Sequence, residues 1–518
     1  MTTAPELDAR RARLILPVVG LALMAVVSAV AGLNLALPSI ARETGASQTE
    51  LTWIIDAYTV VFAGLLLLTG ALGDRFGRRL LLLVGLVIFG GAAALGMLVT
   101  DPGQLIAVRM LMGLGAAAIM PTTLSVITTS FPEAERPRAI GVWVGIAGGG
   151  AVLGLFATGL LLEWFPWTSF FGLNVALAAV ALVGVLAVVP ESSDPSHRLD
   201  VVGGVLSLVA VAAIVFGIIE GPERGWIDPM SWGALLLGAA ALVGFVLWEL
   251  RTPHPLLDPR VFRIRGFSAG SLTILVQFLS AFGFFFVTLQ YLQYVTGRSP
   301  LDAAIALLPL PLILLPTARM APHLAQRIGF RRTAPVGLAI MAGGFLVLSR
   351  LQVDTPYWFF VVGLALFALG MGLAGTPSTT AITASLPLAK QGVASAVNDT
   401  ARELGSAIGI AILGSILNQT YRDAMGPVVA ALPPDAQERA LRSVAFTSAP
   451  QLQQLGERGQ QLIDAAFRAF TDGVGATMLT AAGVLIVAAV VVWLVAPRPG
   501  TAADELRSVA EDPAAASV

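Results

Sequence analysis

Five ionisable side chains interrupt stretches that otherwise carry almost no charge. Asp56 and Arg109 each lie a few residues inside an apolar run (51–72 and 104–129), and Asp399, Arg402 and Glu403 cluster in a third (391–417). An ionisable group is expensive inside such a run and by default points to a task. The task would be binding and releasing a proton, or holding a charged solute. A carboxyl beside a permanent cation gives up its proton readily, and one moved away from that cation into an apolar setting keeps it. Alternation between the two settings would tie proton binding to conformation. Asp56 and Arg109 enter their runs from the same side, so at about 1.5 Å per residue both sit roughly 8 Å below one boundary. Shared depth permits a pair. The plainer alternative is a static ion pair, or an acid at a helix mouth reaching back to water. Asp399 and Glu403 are four apart and share a helix face, with Arg402 able to neutralise one of them. This acid pair would carry protons or a cationic solute, or else form a structural salt-bridged patch; Asn398 adds a polar contact beside it.

A second constellation lies in a turn. GALGDRFGRR (70–79) puts Asp74, Arg75, Arg78 and Arg79 between two uncharged runs, with Gly70 and Gly77 at fixed offsets. A weaker copy follows at APHLAQRIGFRR (321–332). Aligning Gly77 with Gly329 matches Arg75 to Arg327 and Arg79 to Arg331, while Asp74 becomes Gln326. Basic residues in a short connection help fix membrane topology, and that alone would explain the arginines. The glycines, the acid and the repeat argue for more, since two related halves are what parallel repeats look like in transporters.

The elements that must position these residues follow from composition. The 518 residues are 56% apolar and 12% charged, with a mean hydropathy of +0.82; a soluble chain is about 25% charged. Runs of roughly 20 apolar residues, long enough to cross a hydrocarbon core of about 30 Å, recur throughout. Apolar runs between polar punctuation give fourteen spans. They lie near 14–37, 51–72, 80–99, 104–129, 140–162, 168–189, 201–219, 231–250, 267–290, 302–318, 334–349, 356–380, 391–417 and 474–496. The tenth is the least regular, interrupted by Pro309, Pro311 and Pro316. The first is too long for a signal peptide's apolar region and reads as a retained helix. With the N-terminus inside, inside segments hold 20 Lys and Arg, and the short outside loops hold four, Arg42, Arg224, Arg298 and Arg350. That bias places both termini in the cytoplasm.

Absences narrow the chemistry. There is no cysteine and there are three scattered histidines, so neither disulfides nor a zinc or other metal site is expected. Lys390 is the only lysine, and no G-x-x-x-x-G-K-[ST] loop surrounds it, which excludes an ATP-driven pump. Arg in place of Lys, with heavy Ala and Gly usage, suggests a GC-rich bacterial genome.

These residues and their spacing resemble the major facilitator superfamily, in its fourteen-helix drug:proton antiporter branch (EmrB/QacA type). The family's first-loop motif appears as Gly70-Ala-Leu-Gly-Asp74-Arg75-Phe-Gly77-Arg78-Arg79, and its fourth-helix motif as Arg109-Met-Leu-Met-Gly113-Leu-Gly115-Ala-Ala. The first span ends Asn34-Leu-Ala-Leu-Pro38, the second opens Trp53-Ile-Ile-Asp56-Ala-Tyr58, and 392–415 reads GVASAVNDTARELGSAIGIAILGS. Three positions depart. Ala29 stands where many relatives carry a first-helix Asp, and Gly154-Leu155-Phe-Ala-Thr158-Gly159 lacks the Pro and one Gly of the antiporter motif G-P-x-x-G-G.

The resemblance implies an all-α polytopic membrane protein of the major facilitator fold, with 14 transmembrane helices forming two six-helix bundles plus two inserted helices. The expected organisation is a cytoplasmic N-tail (1–13), an N-terminal bundle (14–189), two inserted helices (201–250), a cytoplasmic linker (251–266) and a C-terminal bundle (267–496) with an extracellular loop at 418–470 read as a helical hairpin or cap. A disordered cytoplasmic C-tail (497–518) completes it. The resemblance makes the turn a conformational gate of Gly70, Asp74, Arg75, Gly77, Arg78 and Arg79, with Asp74 at a helix start in the other bundle near Gln391. Proton coupling falls to Asp56, Arg109, Asp399 and Glu403. One substrate cavity between the bundles is expected, lined by Asn34, Trp53, Tyr58, Phe285, Gln290 and Asn398, although the aromatic run FGFFFVTLQYLQY (282–294) also suits packing. The expected activity is efflux of amphiphilic, neutral or weakly charged compounds across the plasma membrane in exchange for protons. It would need no cofactor beyond the proton gradient and no nucleic acid, and would work as a monomer in the lipid bilayer. A symporter or uniporter on the same fold is the first alternative. A membrane enzyme or lipid-handling protein is the second, for which no nucleophile–base set is visible.

Overall fold

The computed structural model describes residues 9–131, 136–193, 199–386, 391–448, 452 and 455–498. The described chain is helical. In order the helices are α1 Ala9–Ala31, α2 Leu33–Thr44, α3 Gln48–Phe76, α4 Arg78–Gly96, α5 Pro102–Ser130, α6 Arg136–Trp164, α7 Ser169–Val188, α8 Val201–Arg224, α9 Pro229–Glu249, α10 Arg265–Gln290, α11 Pro300–Ala306, α12 Pro309–Ile328, α13 Phe330–Leu348, α14 Tyr357–Ala384, α15 Gln391–Val429, α16 Pro434–Arg442 and α17 Glu457–Val495. Among the described residues, thirteen helical segments are long and apolar enough to cross a membrane, and α6 adds the shorter apolar stretch Gly149–Trp164. The protein is a multi-pass membrane protein. The tails beyond 9 and 498, with Lys390 and Arg198, lie outside the described residues.

Proline and glycine punctuate the spans as their chemistry requires. The tenth expected span is two helices, α11 and α12, with Pro309 opening α12 where its missing N–H costs nothing. The first run splits at Gly32 into α1 and α2, and Asn34 Nδ2 donates to the Val30 carbonyl at 3.1 Å beside the break. Helices α15 and α17 run 39 residues each. At about 1.5 Å per residue that is nearly twice the thickness of a hydrocarbon core, so both project well past it. Between them the 418–470 segment continues α15, forms α16 and begins α17, and Tyr421 Oη donates to the Ala440 carbonyl at 2.9 Å to fasten α16 on α15.

The chain divides into two compact units: residues 1–214 with 236–245 and 298–305, and residues 215–235 with 246–297 and 306–518. In the first, α3 packs on α5, α5 on α4, α4 on α7, and α1 on α5, α6 and α7. In the second, α12 packs on α14, α14 on α13, α13 on α17, and α10 on α14, α15 and α17. The two sets are the same pattern shifted along the chain, which is the internal repeat that Gly77 and Gly329 hint at. Close helix approach is bought with small residues. On α5, a Cβ at Gly113 would lie 2.5 Å from the Tyr58 carbonyl oxygen of α3, and one at Gly115 would lie 2.7 Å from Phe89 of α4. Two residues apart is about 200° around a helix, so each glycine serves a different neighbour.

Candidate functional site

Arg109 is completely buried on α5. Its Nε donates to the Ile54 carbonyl at 3.0 Å, and its guanidinium lies 4.2 Å from the centroid of the Tyr58 ring. The Tyr58 hydroxyl in turn donates to the Val26 carbonyl of α1 at 3.1 Å. Among the described residues Nη1 and Nη2 of Arg109 have no acceptor. Asp56 is also completely buried: Oδ1 accepts from the Thr59 hydroxyl at 2.9 Å, and among the described residues Oδ2 has no partner. The expected Asp56–Arg109 pair is therefore not formed. The reason is angular rather than a matter of depth. Ile54 and Tyr58 are four apart and present one face of α3 to α5, whereas Asp56 lies about 200° from Ile54. Of the other first-unit candidates, Trp53 is half-buried and Asn34 buried, with Asn34 Oδ1 unpartnered. The departed motif on α6 has a visible packing role: a Cβ at Gly154 would meet Ser28 of α1, and one at Gly32 would meet the Thr158 hydroxyl.

The charged turn is a small built structure within the first unit. Helix α3 ends at Phe76, Gly77 adopts φ 128° and ψ 124°, and α4 starts at Arg78. Across that reversal Asp74 Oδ1 accepts from Arg78 Nε at 2.9 Å and lies 2.7 Å from its Nη2. Arg75 stacks its guanidinium 5.4 Å from the Phe76 ring centroid. A Cβ at Gly70 would make ordinary contact with Pro121 of α5, 3.5 Å away, so the packing of α3 on α5 does not itself demand glycine here.

Two further residues shape the turn, and sequence reading missed both. Glu191, just after α7, accepts from the backbone N–H of Arg79 and of Leu80, each at 3.1 Å, capping the exposed donors of α4. Ser192 accepts from the Arg78 N–H at 3.0 Å and from Arg78 Nη1 at 3.3 Å. The available signal was Pro190-Glu191-Ser192, a polar step directly after an apolar run. Arg79 Nη2 donates to the Leu186 carbonyl of α7 at 2.8 Å. In the second unit Gly329, at φ 84°, separates α12 from α13, and Arg331 Nε donates to the Trp493 carbonyl of α17 at 2.8 Å. Arg79 and Arg331 thus do the same job on equivalent helices. The side chain of Gln391, the expected neighbour of Asp74, lies outside the described residues.

The acidic cluster of α15 sits against α10 in the second unit. Asp399 is buried, and its Oδ1 lies 3.9 Å from Arg402 Nη1 and accepts from Asn398 Nδ2 at 3.4 Å. Asn398 Oδ1 accepts from the Thr379 hydroxyl of α14 at 3.2 Å. Glu403 is half-buried on the same helix. The Arg402 guanidinium lies 4.9 Å from the centroid of the Phe278 ring, a residue the sequence reading passed over because its aromatic face began at 282. Farther along α10, Phe285 is half-buried, whereas Gln290 is completely buried with Nε2 on the Phe286 carbonyl at 3.1 Å. Phe284 belongs to a packed cluster with Phe345 and Phe367, centroids 5.9 and 4.9 Å away. Part of the aromatic run is therefore core. No group of acids and histidines suited to a metal ion occurs among the described residues.

Known proteins place this arrangement. The chain is 34% identical to the puromycin resistance protein pur8 of Streptomyces alboniger over 487 residues, covering 93% of this chain and 90% of that one. It is 34% identical to the multidrug efflux pump LfrA of Mycolicibacterium smegmatis over 462 residues, covering 89% and 91%. Its fold matches the crystal structure of a bacterial homologue of the human lysosomal transporter Spinster with a TM-score of 0.64 at 17% identity, covering 95% of this chain and all of that one. With the Major Facilitator Superfamily pattern matching residues 19–410, and with the repeated helix packing and glycine turns described above, the chain belongs to the Major Facilitator Superfamily.

Proposed function

We propose that the protein is a secondary transporter that expels amphiphilic drugs or antibiotic-like natural products across the bacterial plasma membrane in exchange for protons, by alternating access. The observation that carries the reading is Asp56, a completely buried carboxyl in a membrane-spanning helix with one oxygen unpartnered. A buried carboxyl without a cation is suited to carry a proton, and the relatives that align along nearly the full chain are a resistance protein and a multidrug efflux pump. Arg109, Asp399 and Glu403 complete the coupling set. Asn34, Trp53, Tyr58, Phe285, Gln290 and Asn398 contribute substrate contacts. The turn of Gly70, Asp74, Arg75, Gly77, Arg78 and Arg79 acts as the gate, with both termini cytoplasmic. The transporter works as a monomer, without a cofactor, on the proton gradient.

The test is drug-triggered proton release from everted vesicles energised with an inward proton gradient, comparing the native chain with Asp56→Asn. Gradient collapse in the native chain and none in the variant is expected. A variant equal to the native chain would move the coupling acid to Asp399 or Glu403. No response to any amphiphile would favour the symporter or uniporter reading, to which one observation lends weight: the α1–α6 contact is built on Ser28, Gly32, Gly154 and Thr158 without the antiporter motif's proline.

A further inference from the structure

The half-buried residues Leu275, Phe278, Phe282 and Phe285 recur at helical spacing along one face of α10. Phe278 and Phe282 stack with centroids 5.9 Å apart and planes 25° from parallel. Against this face α15 brings the Arg402 guanidinium, 4.9 Å from the Phe278 ring centroid, with Asp399 3.9 Å from that guanidinium and Glu403 one helical turn beyond Asp399. The backbones are fixed by close contact: a Cβ at Gly405 would strike the Leu275 carbonyl, and one at Gly409 the Leu279 carbonyl. That crossing lies one turn from Arg402 on α15 and one turn from Phe278 on α10, so the guanidinium is delivered onto the ring.

Its holds there are few and loose. Among the described residues the guanidinium has the ring at 4.9 Å and a single carboxylate contact at 3.9 Å, while its buried Nε has no acceptor. A structural ion pair of arginine is typically bidentate and shorter; this one is neither. What the cradle offers is an aromatic face plus carboxylates, the combination that recognises planar organic cations. Asp399 stands beside the guanidinium and Glu403 follows one turn along α15, so without Arg402 the cradle would be an acidic aromatic site. We propose that Arg402 is a tethered cation that occupies this cradle, and that it makes the transporter select uncharged aromatic amphiphiles over organic cations. The inference rests on the efflux reading above and names the specificity element of that transporter.

The test measures binding without transport. Purified full-length protein in detergent is titrated with ethidium, a planar aromatic cation, and with Nile red, a neutral one. Arg402→Gln is expected to tighten ethidium binding about 3- to 30-fold, the range a cation–π contact spans, and to leave Nile red within about twofold. Arg402→Lys, which keeps a cation over the ring, should stay near the native value. Adding Phe278→Leu to Arg402→Gln should remove the gain. Should Arg402→Gln not purify as a monodisperse protein, Arg402→Leu reads the same gain. Ethidium binding unchanged or weakened by loss of the charge overturns the inference, as does a gain that survives Phe278→Leu. Because no gradient is involved, the two readings fail separately. Drug-driven proton release without an ethidium gain sinks this inference alone, and a gain without proton release sinks the efflux reading alone.

Discussion

The Glu191 carboxylate accepts two backbone N–H groups at the first turn of α4 while standing against Gly77, where a Cβ would come within 2.8 Å of its oxygen. Two independent penalties therefore meet in Gly77→Ala. The φ of 128° is one that side chains rarely adopt, costing about 1–2 kcal/mol, and the new methyl collides with the cap. Glu191→Ala removes the cap, at about 1 kcal/mol, and with it the collision. The double variant should therefore cost less than the sum of the singles, a coupling readable in a denaturation cycle in detergent. Additive costs would mean that Glu191 swings away freely and does not hold the turn. Asp56 and Arg109 pose the opposite case at this scale. Each is buried with unpartnered polar atoms, an arrangement that costs stability and that packing alone would not retain.

The α3–α4 and α12–α13 turns are one design with different contents. Both reverse at a positive-φ glycine, and both send the arginine two residues after it, Arg79 or Arg331, to a carbonyl, on α7 and α17 respectively. Only the first carries an acid bridging its own turn, Asp74 to Arg78, where the second has Gln326. If the first turn gates transport, Asp74→Asn should cut the initial export rate roughly tenfold, the worth of one charge-assisted hydrogen bond. Gln326→Ala should leave the rate nearly unchanged. Equal losses at both positions would make the turns merely structural. Much of this was legible in sequence, because glycine, proline and charge at a helix end leave a local signature: the spans, the repeat and the place of the charged turn follow from it, whereas the Asp74–Arg78 bond does not, Asp74 being expected near Gln391. What the sequence hid depends on rotation and on distant chain. Asp56 and Arg109 share a depth, yet Ile54 and Tyr58 own the face of α3 that meets α5. Glu191 reaches the first turn of α4, 112 and 111 residues earlier in the chain, and no local pattern announces such a partner. Phe278 was overlooked because its role is set by the α10–α15 crossing rather than by its neighbours in the run.

At the scale of the whole chain, the charge bias and the helix lengths make a joint claim about which connections face the cytoplasm. Among the described residues thirteen segments satisfy length and hydropathy, with Gly149–Trp164 of α6 beside them. Orientation by the positive-inside rule requires that α6 also cross, because losing one crossing inverts the side of everything after it. The absence of cysteine makes this directly measurable, since every engineered thiol is the only one in the protein. Asp101, Ile227, Gln352 and Glu457 are exposed and fall in connections assigned to the outside; Ser193, His254 and Arg498 are exposed in connections assigned to the inside. Asp101→Cys, Ile227→Cys, Gln352→Cys and Glu457→Cys should react with a membrane-impermeant maleimide on intact cells. Ser193→Cys, His254→Cys and Arg498→Cys should react only after permeabilisation. A pattern that matches as far as Asp101 and inverts at every later position would mean that α6 does not cross. A pattern inverted throughout would reverse the orientation, placing the Asp74 turn on the outer side and removing the basis for a cytoplasmic gate. Agreement at all seven positions would fix an even number of crossings between the two inside segments at 193 and 498, as the fourteen-span reading, with eight spans between them, requires.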